Sequence, residues 1–176
     1  MNNSKGCAVV RKWWLTSLSA IIACLSFGVS ACSSIDCPVQ NTVYTGYALY
    51  TQDERVDTLR DTMYVFTRRA DGTDTLLFNA GIGLTTFQLQ ISYSHPEDTL
   101  RFYFINGDNY AVVDTVWVKK EDIPHFESVD CSASFFHRLT AVRSTHNAID
   151  SIAITKNFVD YDASTSHFHL YLKRHD

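Results

Sequence analysis

The chain has 176 residues and a formal net charge of −4, with 45% hydrophobic and 13% aromatic side chains. A chain of this size suits one domain with one core, and its acidic balance argues against nucleic acid or another polyanion as partner. The N-terminus carries the cations Lys5, Arg11 and Lys12, followed by an apolar run over residues 13–27. This run is shorter than the about 20 residues of a membrane-spanning helix, so it predicts a cleaved export signal.

The signal ends in Val29-Ser30-Ala31-Cys32, which resembles the lipobox of bacterial lipoproteins. In those proteins a diacylglyceryl group is attached to the Cys sulfur and the chain is cut on its N-terminal side. The resemblance predicts a signal peptide over residues 1–31 and lipidation of Cys32. Two or three acyl chains, such as palmitate, would make the attachment effectively permanent. The alternative is an ordinary secreted protein that is cut near Ala31.

The residues around the predicted cleavage site also predict a location. Ser33 stands where an Asp would resemble an inner-membrane retention signal, and no acidic run follows. We therefore expect a lipid-anchored protein of the cell envelope, at the outer membrane and facing the periplasm. Residues 1–31 hold three basic and no acidic side chains, so their removal leaves 145 residues with a formal net charge of −7. Residues 32–41 form a short lipidated tether.

The number of cysteines left in the mature domain is consistent with export. Cys7 and Cys24 leave with the signal and Cys32 carries lipid, so Cys37 and Cys131 remain. Two thiols in an oxidising compartment predict one disulfide, and two unpaired thiols are the alternative. Closing this long loop would stabilise the fold by up to about 4.7 kcal/mol in the chain-entropy model.

Residues 42–176 show short alternating segments separated by turn residues, which predicts a single antiparallel β-sandwich, immunoglobulin-like or related, of eight or nine strands. The clearest strand is 87–93, where every second residue is apolar. Asn106-Gly107 predicts a hairpin turn. No segment has a convincing helical period, and only residues 139–146 are ambiguous. The predicted strands span residues 42–50, 62–69, 75–78, 87–93, 100–104, 110–119, 129–136, 149–155 and 166–173.

A short motif of Asp, then Ser or Thr, then an aliphatic residue begins at residues 57, 61, 74, 98, 114 and 150. It resembles the acceptor sequence of a general O-glycosylation system of some Gram-negative anaerobes. The alternative is local structure, in which Asp ends a turn, Thr opens a strand and the aliphatic residue takes the first core position. The candidate acceptors are Thr58, Thr62 and Thr99, which flank predicted loops, whereas Thr115 lies mid-strand.

The histidines raise the question of a metal site. His167 and His169 would share one face of the last strand, a geometry that metal sites on sheets use. The residues that could complete such a site are His125, His137, His146 and Asp162. We favour the alternative, in which Phe168 and Leu170 face the core and the two histidines face solvent. The sequence therefore predicts no metal and no cofactor, with His167 and His169 as weak metal candidates.

No catalytic motif is present: the sequence lacks Gly-x-Ser-x-Gly, Ser-x-x-Lys and a Cys beside a basic His. We therefore expect no enzymatic activity. Several aromatic residues fall on strand faces opposite the expected core, and these are Tyr44, Tyr64, Phe66, Tyr103 and Trp117. They predict either additional core beneath loops or a platform for a glycan or protein partner.

The lipobox, the early Cys37, the late Cys131 and residues 148–156 and 167–172 together resemble a family of small gut-anaerobe lipoproteins of unknown function. The similarity is best over the last third of the chain. It implies a β-sandwich in the envelope and no assigned catalytic residues. We predict a non-catalytic module that binds or scaffolds a protein partner. The alternatives are a glycan-binding accessory of a nutrient-uptake system and an enzyme with a deep pocket joining a His to a carboxylate.

Overall fold

The computed structural model describes residues 42–69, 71–128, 130–131, 133–162 and 164–173, which all lie in the compact unit Cys37–Asp176. The described part is all-β, so the predicted class is confirmed, although it contains ten strands and not eight or nine. Among these residues no helix is long and apolar enough to span a membrane. The strands are β1 (Tyr44–Tyr50), β2 (Thr62–Arg68), β3 (Asp74–Gly81), β4 (Thr86–Gln90), β5 (Glu97–Ile105), β6 (Ala111–His125), β7 (Ser134–Ser144), β8 (Ile149–Ile154), β9 (Phe158–Val159) and β10 (Phe168–Leu172).

The strands form the two layers of a sandwich. One sheet has four strands in the order β4-β1-β10-β8, and the other has six in the order β3-β2-β5-β6-β7-β9. β1 pairs with β10 in parallel, with Tyr47 opposite Phe168, whereas the remaining named pairs are antiparallel. The prediction of a purely antiparallel sandwich is therefore wrong for this pair, which joins the first and last described strands.

The core lies between the sheets because alternate side chains of each strand point inward. In β5 every second residue from Asp98 to Phe104 is buried, while the residues between are half-buried. Tyr47 of the four-stranded sheet stacks on Phe168 with ring centroids 4.8 Å apart, and it meets the edge of Phe102 of the other sheet at 6.3 Å. Each large apolar side chain buried in this way contributes about 1.5–3 kcal/mol.

The sandwich has two ends. The proximal end contains the start of β1, the β2–β3 turn, the β4–β5 loop and the β6–β7 turn. The backbone N–H of Ile91 donates to the carbonyl of Val43 at 3.4 Å, so the chain enters the domain beside the β4–β5 loop. The distal end contains the β1–β2 connection, the β3–β4 loop and the β5–β6 and β7–β8 turns.

The β6–β7 hairpin differs most from the sequence expectation. β6 continues to His125, beyond the expected end, and β7 begins at Ser134 and includes the ambiguous segment as strand. The reason is that β7 pairs with residues 120–125 after β5 has ended at the Glu97–Lys119 pair. Pro124 fits there because the strand has a neighbour on one side only. Cys131, expected in a strand, lies in the turn between β6 and β7.

Candidate functional site

The outward side of the six-stranded sheet carries four half-buried aromatic residues. Strand alternation puts Met63, Val65 and Phe102 inside, and the residues between them therefore point outward. We call this surface the outer face. It comprises Tyr64, Phe66, Thr99, Arg101, Tyr103, Ile105, Trp117 and Arg143. The register places Tyr64 beside Tyr103, and Thr99 beside Trp117. The four-stranded sheet packs on the opposite side, and no described strand covers the outer face.

Arg101 is held in place on this face. Its guanidinium lies 5.3 Å from the centroid of the Tyr103 ring and 2.9 Å from the carboxylate of Asp74. Tyr103 in turn meets the Phe66 ring edge-on at 5.4 Å. A cation over an aromatic ring is favourable by about 0.5–1 kcal/mol at exposed sites, so the contacts with Asp74 and Tyr103 fix the orientation of Arg101.

Arg143 is held in the same manner on the next strands. Its guanidinium lies 4.1 Å from the Trp117 ring centroid and 2.8 Å from a carboxylate oxygen of Glu97. The pair forms across β6 and β7, where Trp117 is opposite Arg143. The outer face thus has two arginine–ring pairs on adjacent strands, each with its own carboxylate.

A shallow apolar depression lies at one side of the outer face. Its volume is about 360 Å³, and its lining is Tyr64, Phe66, Asp74, Tyr103 and Ile105. The aromatic rings supply most of its wall and Asp74 supplies its single carboxylate. Known small-ligand pockets begin at about 300 Å³, so the depression could accommodate one small polar ligand or one protruding side chain.

The structure brings together four of the five aromatic residues that the sequence singled out. Tyr64, Phe66, Tyr103 and Trp117 share the outer face, whereas Tyr44 lies in β1 of the other sheet. Sequence reasoning missed both arginines. Alternation with Tyr103 could have placed Arg101, but Arg143 meets Trp117 only through a cross-strand register that a sequence does not reveal.

The weak metal candidates lie in different environments. His167 is 0% exposed, and its Nδ1 accepts a hydrogen bond from the backbone N–H of Gly46 at 3.0 Å. The expectation that His167 faces solvent is therefore wrong. It is buried because a Cβ on Gly46 would lie only 2.9 Å from the carbonyl of Thr165, so the missing side chain lets this segment pack closely. Burial, assisted by the nearby Lys156 ammonium, lowers the pKa of His167.

His169 is half-buried, and its ring stacks on Tyr50 with centroids 4.1 Å apart. It therefore takes part in a side-chain stack on the four-stranded sheet. In the described part of the chain no group of three or more His, Cys, Asp or Glu residues is arranged to hold a metal ion.

Two ionisable pairs lie where β6 leaves β5, and three of their four residues are buried, namely Lys120, Asp98 and His137. The Lys120 ammonium lies 3.3 Å from the Asp98 carboxylate, and the Nδ1 of His137 lies 2.7 Å from the Asp122 carboxylate. Burial raises the pKa of Asp98 and lowers the pKa of His137. His137 is only 1% exposed, whereas the side chain of its partner Asp122 is 26% exposed, so the buried ring is paired with a carboxylate that solvent reaches.

Asp114 is a structural residue and not a turn end. Its fully buried carboxylate accepts hydrogen bonds from the Thr145 hydroxyl and from the backbone N–H groups of Asn147, Ala148 and Ile149, at 2.6–2.8 Å. These four bonds lower the pKa of Asp114 against the opposing effect of burial. The carboxylate thereby fixes the β7–β8 turn onto β6.

The glycosylation candidates differ in accessibility. Thr58 is exposed in the β1–β2 connection, Thr62 is the half-buried first residue of β2, and Thr99 is half-buried within β5. Thr99 is paired with Trp117 and does not stand at a strand end as expected. Thr58 therefore presents the most accessible hydroxyl of the three.

Several predictions fall outside the described residues. These are the signal peptide over 1–31, lipidation of Cys32, the tether over 32–41 and the Cys37 half of the disulfide. Cys131 is described, and its backbone N–H donates to the carbonyl of Ser128 at 3.2 Å in the β6–β7 turn. The Cys37–Cys131 bond stays a prediction.

Fold and site together define a two-sheet β-sandwich with a face rich in aromatic residues and arginine that no described strand covers. Residues 62–172 match the family of unknown function DUF6452, and the chain belongs to this family. The expected resemblance to an uncharacterised family is confirmed at that level. No curated protein and no solved structure matches the chain.

Proposed function

We propose that this protein is a lipid-anchored, non-catalytic protein of the bacterial envelope whose outer face binds another envelope protein. The Val29-Ser30-Ala31-Cys32 motif supports an anchor at Cys32, with the domain held at the outer membrane on its periplasmic side. The Cys37–Cys131 disulfide belongs to the same proposal, since both residues would stand in an oxidising compartment. The observation that carries the binding role is the outer face.

The chemistry of the outer face favours a protein partner. Tyr, Trp and Arg are the residue types that dominate the binding energy of protein interfaces. Here Tyr64, Tyr103 and Trp117 lie on three adjacent strands beside Arg101 and Arg143. The two arginines are already oriented by rings and carboxylates, so binding requires less loss of side-chain entropy. A broad face of this kind fits another protein surface better than a small molecule.

Site-specific photocrosslinking in the native host tests this proposal. We would incorporate Tyr103→p-benzoylphenylalanine on the outer face and, as matched control, Tyr110→p-benzoylphenylalanine in the β5–β6 turn, where Tyr110 is 68% exposed. The proposal expects one discrete protein adduct at position 103 and none at position 110. No adduct at position 103, or the same adducts at both positions, would contradict it.

The identified partner then permits a quantitative measurement. Trp117→Ala should weaken its binding at least about 30-fold, because truncation of a central interface residue costs about 2 kcal/mol or more. Thr86→Ala, at an exposed position in β4 of the four-stranded sheet, is the control and should leave the affinity unchanged. Equal affinities for both variants would mean that the partner binds elsewhere.

A glycan is the second candidate ligand, and the depression of about 360 Å³ favours it. Tyr64 and Phe66 offer apolar ring faces and Asp74 offers a hydrogen-bond acceptor, a combination that sugar rings use. Arg143 does not line the depression, so its substitution distinguishes a protein partner from a glycan. Arg143→Gln should weaken a protein partner and leave glycan binding unchanged, whereas Tyr64→Ala should weaken either ligand. Calorimetric titration with both variants distinguishes them.

The third element of the proposal is modification of the exported domain with an O-linked glycan at Thr58. The side chain is exposed, and its backbone N–H is fixed by the Asp57 carboxylate at 2.8 Å. Leu59 next to it is buried, so the acceptor would stand on an anchored connection. Intact mass of protein from the native host measures the sugar directly.

A further inference from the structure

The proximal end of the sandwich carries exposed aromatic side chains on two separate loops. Tyr93 in the β4–β5 loop is 65% exposed, and Phe126 in the β6–β7 turn is 66% exposed. They belong to one surface, because the Tyr93 ring stacks on Phe135 with centroids 5.2 Å apart, and Phe135 lies near the start of β7. Tyr161, 39% exposed, contacts Phe136 and so lies on the opposite side of β7 from Phe135.

The described chain begins at the proximal end of the sandwich and not at the distal end. The described residues begin at Thr42, and the Val43 carbonyl accepts from the N–H of Ile91, two residues before Tyr93. Residues 32–41 precede this point and could extend at most about 36 Å. If Cys37 is bonded to Cys131, the anchored Cys32 lies within about 18 Å of Cys37 and within about 24 Å of Cys131, in the turn that carries Phe126.

The distal end is far from this attachment. Tyr110 immediately precedes β6 and Phe126 immediately follows it. The 15 residues of β6 span roughly 45–50 Å at the usual rise for a strand. The distal end also exposes apolar residues, namely Val56, Ile82 and Tyr110. Exposed apolar residues therefore occur at both ends and do not distinguish them. The position of Thr42, where the described chain begins, favours the proximal end.

We propose that the proximal end lies against the lipid bilayer, with Tyr93 and Phe126 at the level of the headgroups. The inference rests on the proposed lipid anchor at Cys32 and adds an orientation to it. Tyr side chains are enriched at the headgroup level of membranes, because their ring is apolar and their hydroxyl is polar. Phe side chains occur on the apolar surfaces that insert at the boundary between headgroups and acyl chains. The sandwich then stands on its proximal end.

The charges at the proximal end are compatible with this orientation. Arg68 and Arg69 line a depression of about 520 Å³, whose lining also includes Ser92, Ser94, His95 and the acidic residues Glu97 and Asp98. Glu97 and Asp98 already bind Arg143 and Lys120. Within the described part of the chain neither arginine forms an ion pair, although Asp71 lies near Arg69. Guanidinium groups bind phosphate oxygens well, so both side chains can contact lipid headgroups.

Tryptophan quenching by brominated lipid tests the orientation. The mature protein would hold Trp117 as its single tryptophan, since Trp13 and Trp14 lie in the proposed signal. In a Trp117→Phe background we would compare Phe126→Trp with Tyr110→Trp. These sites stand at opposite ends of β6 and are equally exposed, at 66% and 68%, so neither change disturbs the core. The protein, extracted from native membranes, is reconstituted into vesicles of phosphatidylethanolamine and phosphatidylglycerol that contain phosphatidylcholine brominated near the headgroup.

The inference expects a blue shift and strong quenching for Phe126→Trp, with neither effect for Tyr110→Trp. An unquenched Phe126→Trp, or equal quenching at both sites, would overturn the orientation. Intact mass of the same preparations separates this result from failure of the anchor. If Cys32 carries no acyl chains, the anchor and the orientation fall together. If it is acylated and the quenching pattern is absent, the orientation alone fails.

Discussion

The Asp-Ser/Thr-aliphatic motif occurs in the β1–β2 connection and again in β6, and the two copies have different physical roles. At 57–59 the Asp57 carboxylate accepts a hydrogen bond from the adjacent N–H of Thr58 at the surface, and it has no further partner among the residues that the structure describes. At 114–116 the Asp114 carboxylate is buried and accepts four hydrogen bonds from the β7–β8 turn. The aliphatic residues Leu59 and Val116 are buried in both. The third position thus fixes each copy to the core, and the location of Asp decides whether the motif stabilises the fold or stays accessible.

The two copies should differ most in how much stability the protein loses when the Asp carboxylate is removed. Asp114→Ala leaves the buried N–H groups of Ala148 and Ile149, and the more exposed donors of Asn147 and Thr145, without their acceptor. We therefore expect the free energy of unfolding to fall by about 4 kcal/mol. Asp57→Ala should change the free energy of unfolding by less than about 1 kcal/mol, because it removes one exposed local bond. Urea unfolding of both variants measures the difference. Equal losses would show that the buried carboxylate is not the support that its hydrogen bonds imply.

The copy at 98–100 allows a second comparison, since Asp98 is buried beside Lys120 at 3.3 Å. Lys120→Met should destabilise the protein by about 3 kcal/mol, because it leaves a carboxylate buried without its cation. Lys119→Met, at the exposed neighbouring position, is the control and should be close to neutral. The double variant Lys120→Met/Asp98→Leu should recover much of the stability that Lys120→Met loses. No recovery would indicate that shape, and not charge, dominates at this position.

The buried histidines should give a smaller, pH-dependent effect. Burial lowers the pKa of both His137 and His167, so the folded state binds protons less readily than the unfolded chain, in which a histidine titrates near 6.5. Stability should therefore be complete above about pH 6.5 and fall as the pH drops below it, by at most about 1.4 kcal/mol per pH unit for each histidine. Urea unfolding of the wild type across this range measures the slope.

His167→Asn identifies one source of that slope, because its amide oxygen can still accept from the Gly46 N–H. The variant should lose part of the pH dependence, whereas His95→Asn, at an exposed position, should retain all of it. Protonation of the Asp114 carboxylate should lower the free energy of unfolding further, in a separate and more acidic pH range. Its pKa is lowered, so its contribution disappears only as the pH falls below about 3.9 toward its folded value.

The comparison also shows what a sequence can predict. Alternation identified β4 and β5, and Asn106-Gly107 located the β5–β6 turn, because these features depend on neighbouring residues. The positive φ of this turn falls at Asn109 and not at Asn106 or Gly107. The parallel pairing of β1 with β10 was not predictable, since Tyr47 and Phe168 meet across most of the chain. The burial of His167 likewise depends on close packing at Gly46. The aromatic residues of the outer face followed from alternation, but their meeting with Arg143 required the strand register.

The smallest effect on stability, and the most direct test of accessibility, comes from the threonines of the two copies. Thr58→Val should change the free energy of unfolding by less than about 0.5 kcal/mol, since the side chain is exposed and makes no core contact. If Thr58 carries a glycan in the native host, the variant loses that mass increment. Thr115→Val, at a half-buried strand position, should leave the increment in place. Loss of mass from Thr115→Val alone would place the acceptor in β6 and reverse the order of accessibility that the two copies predict.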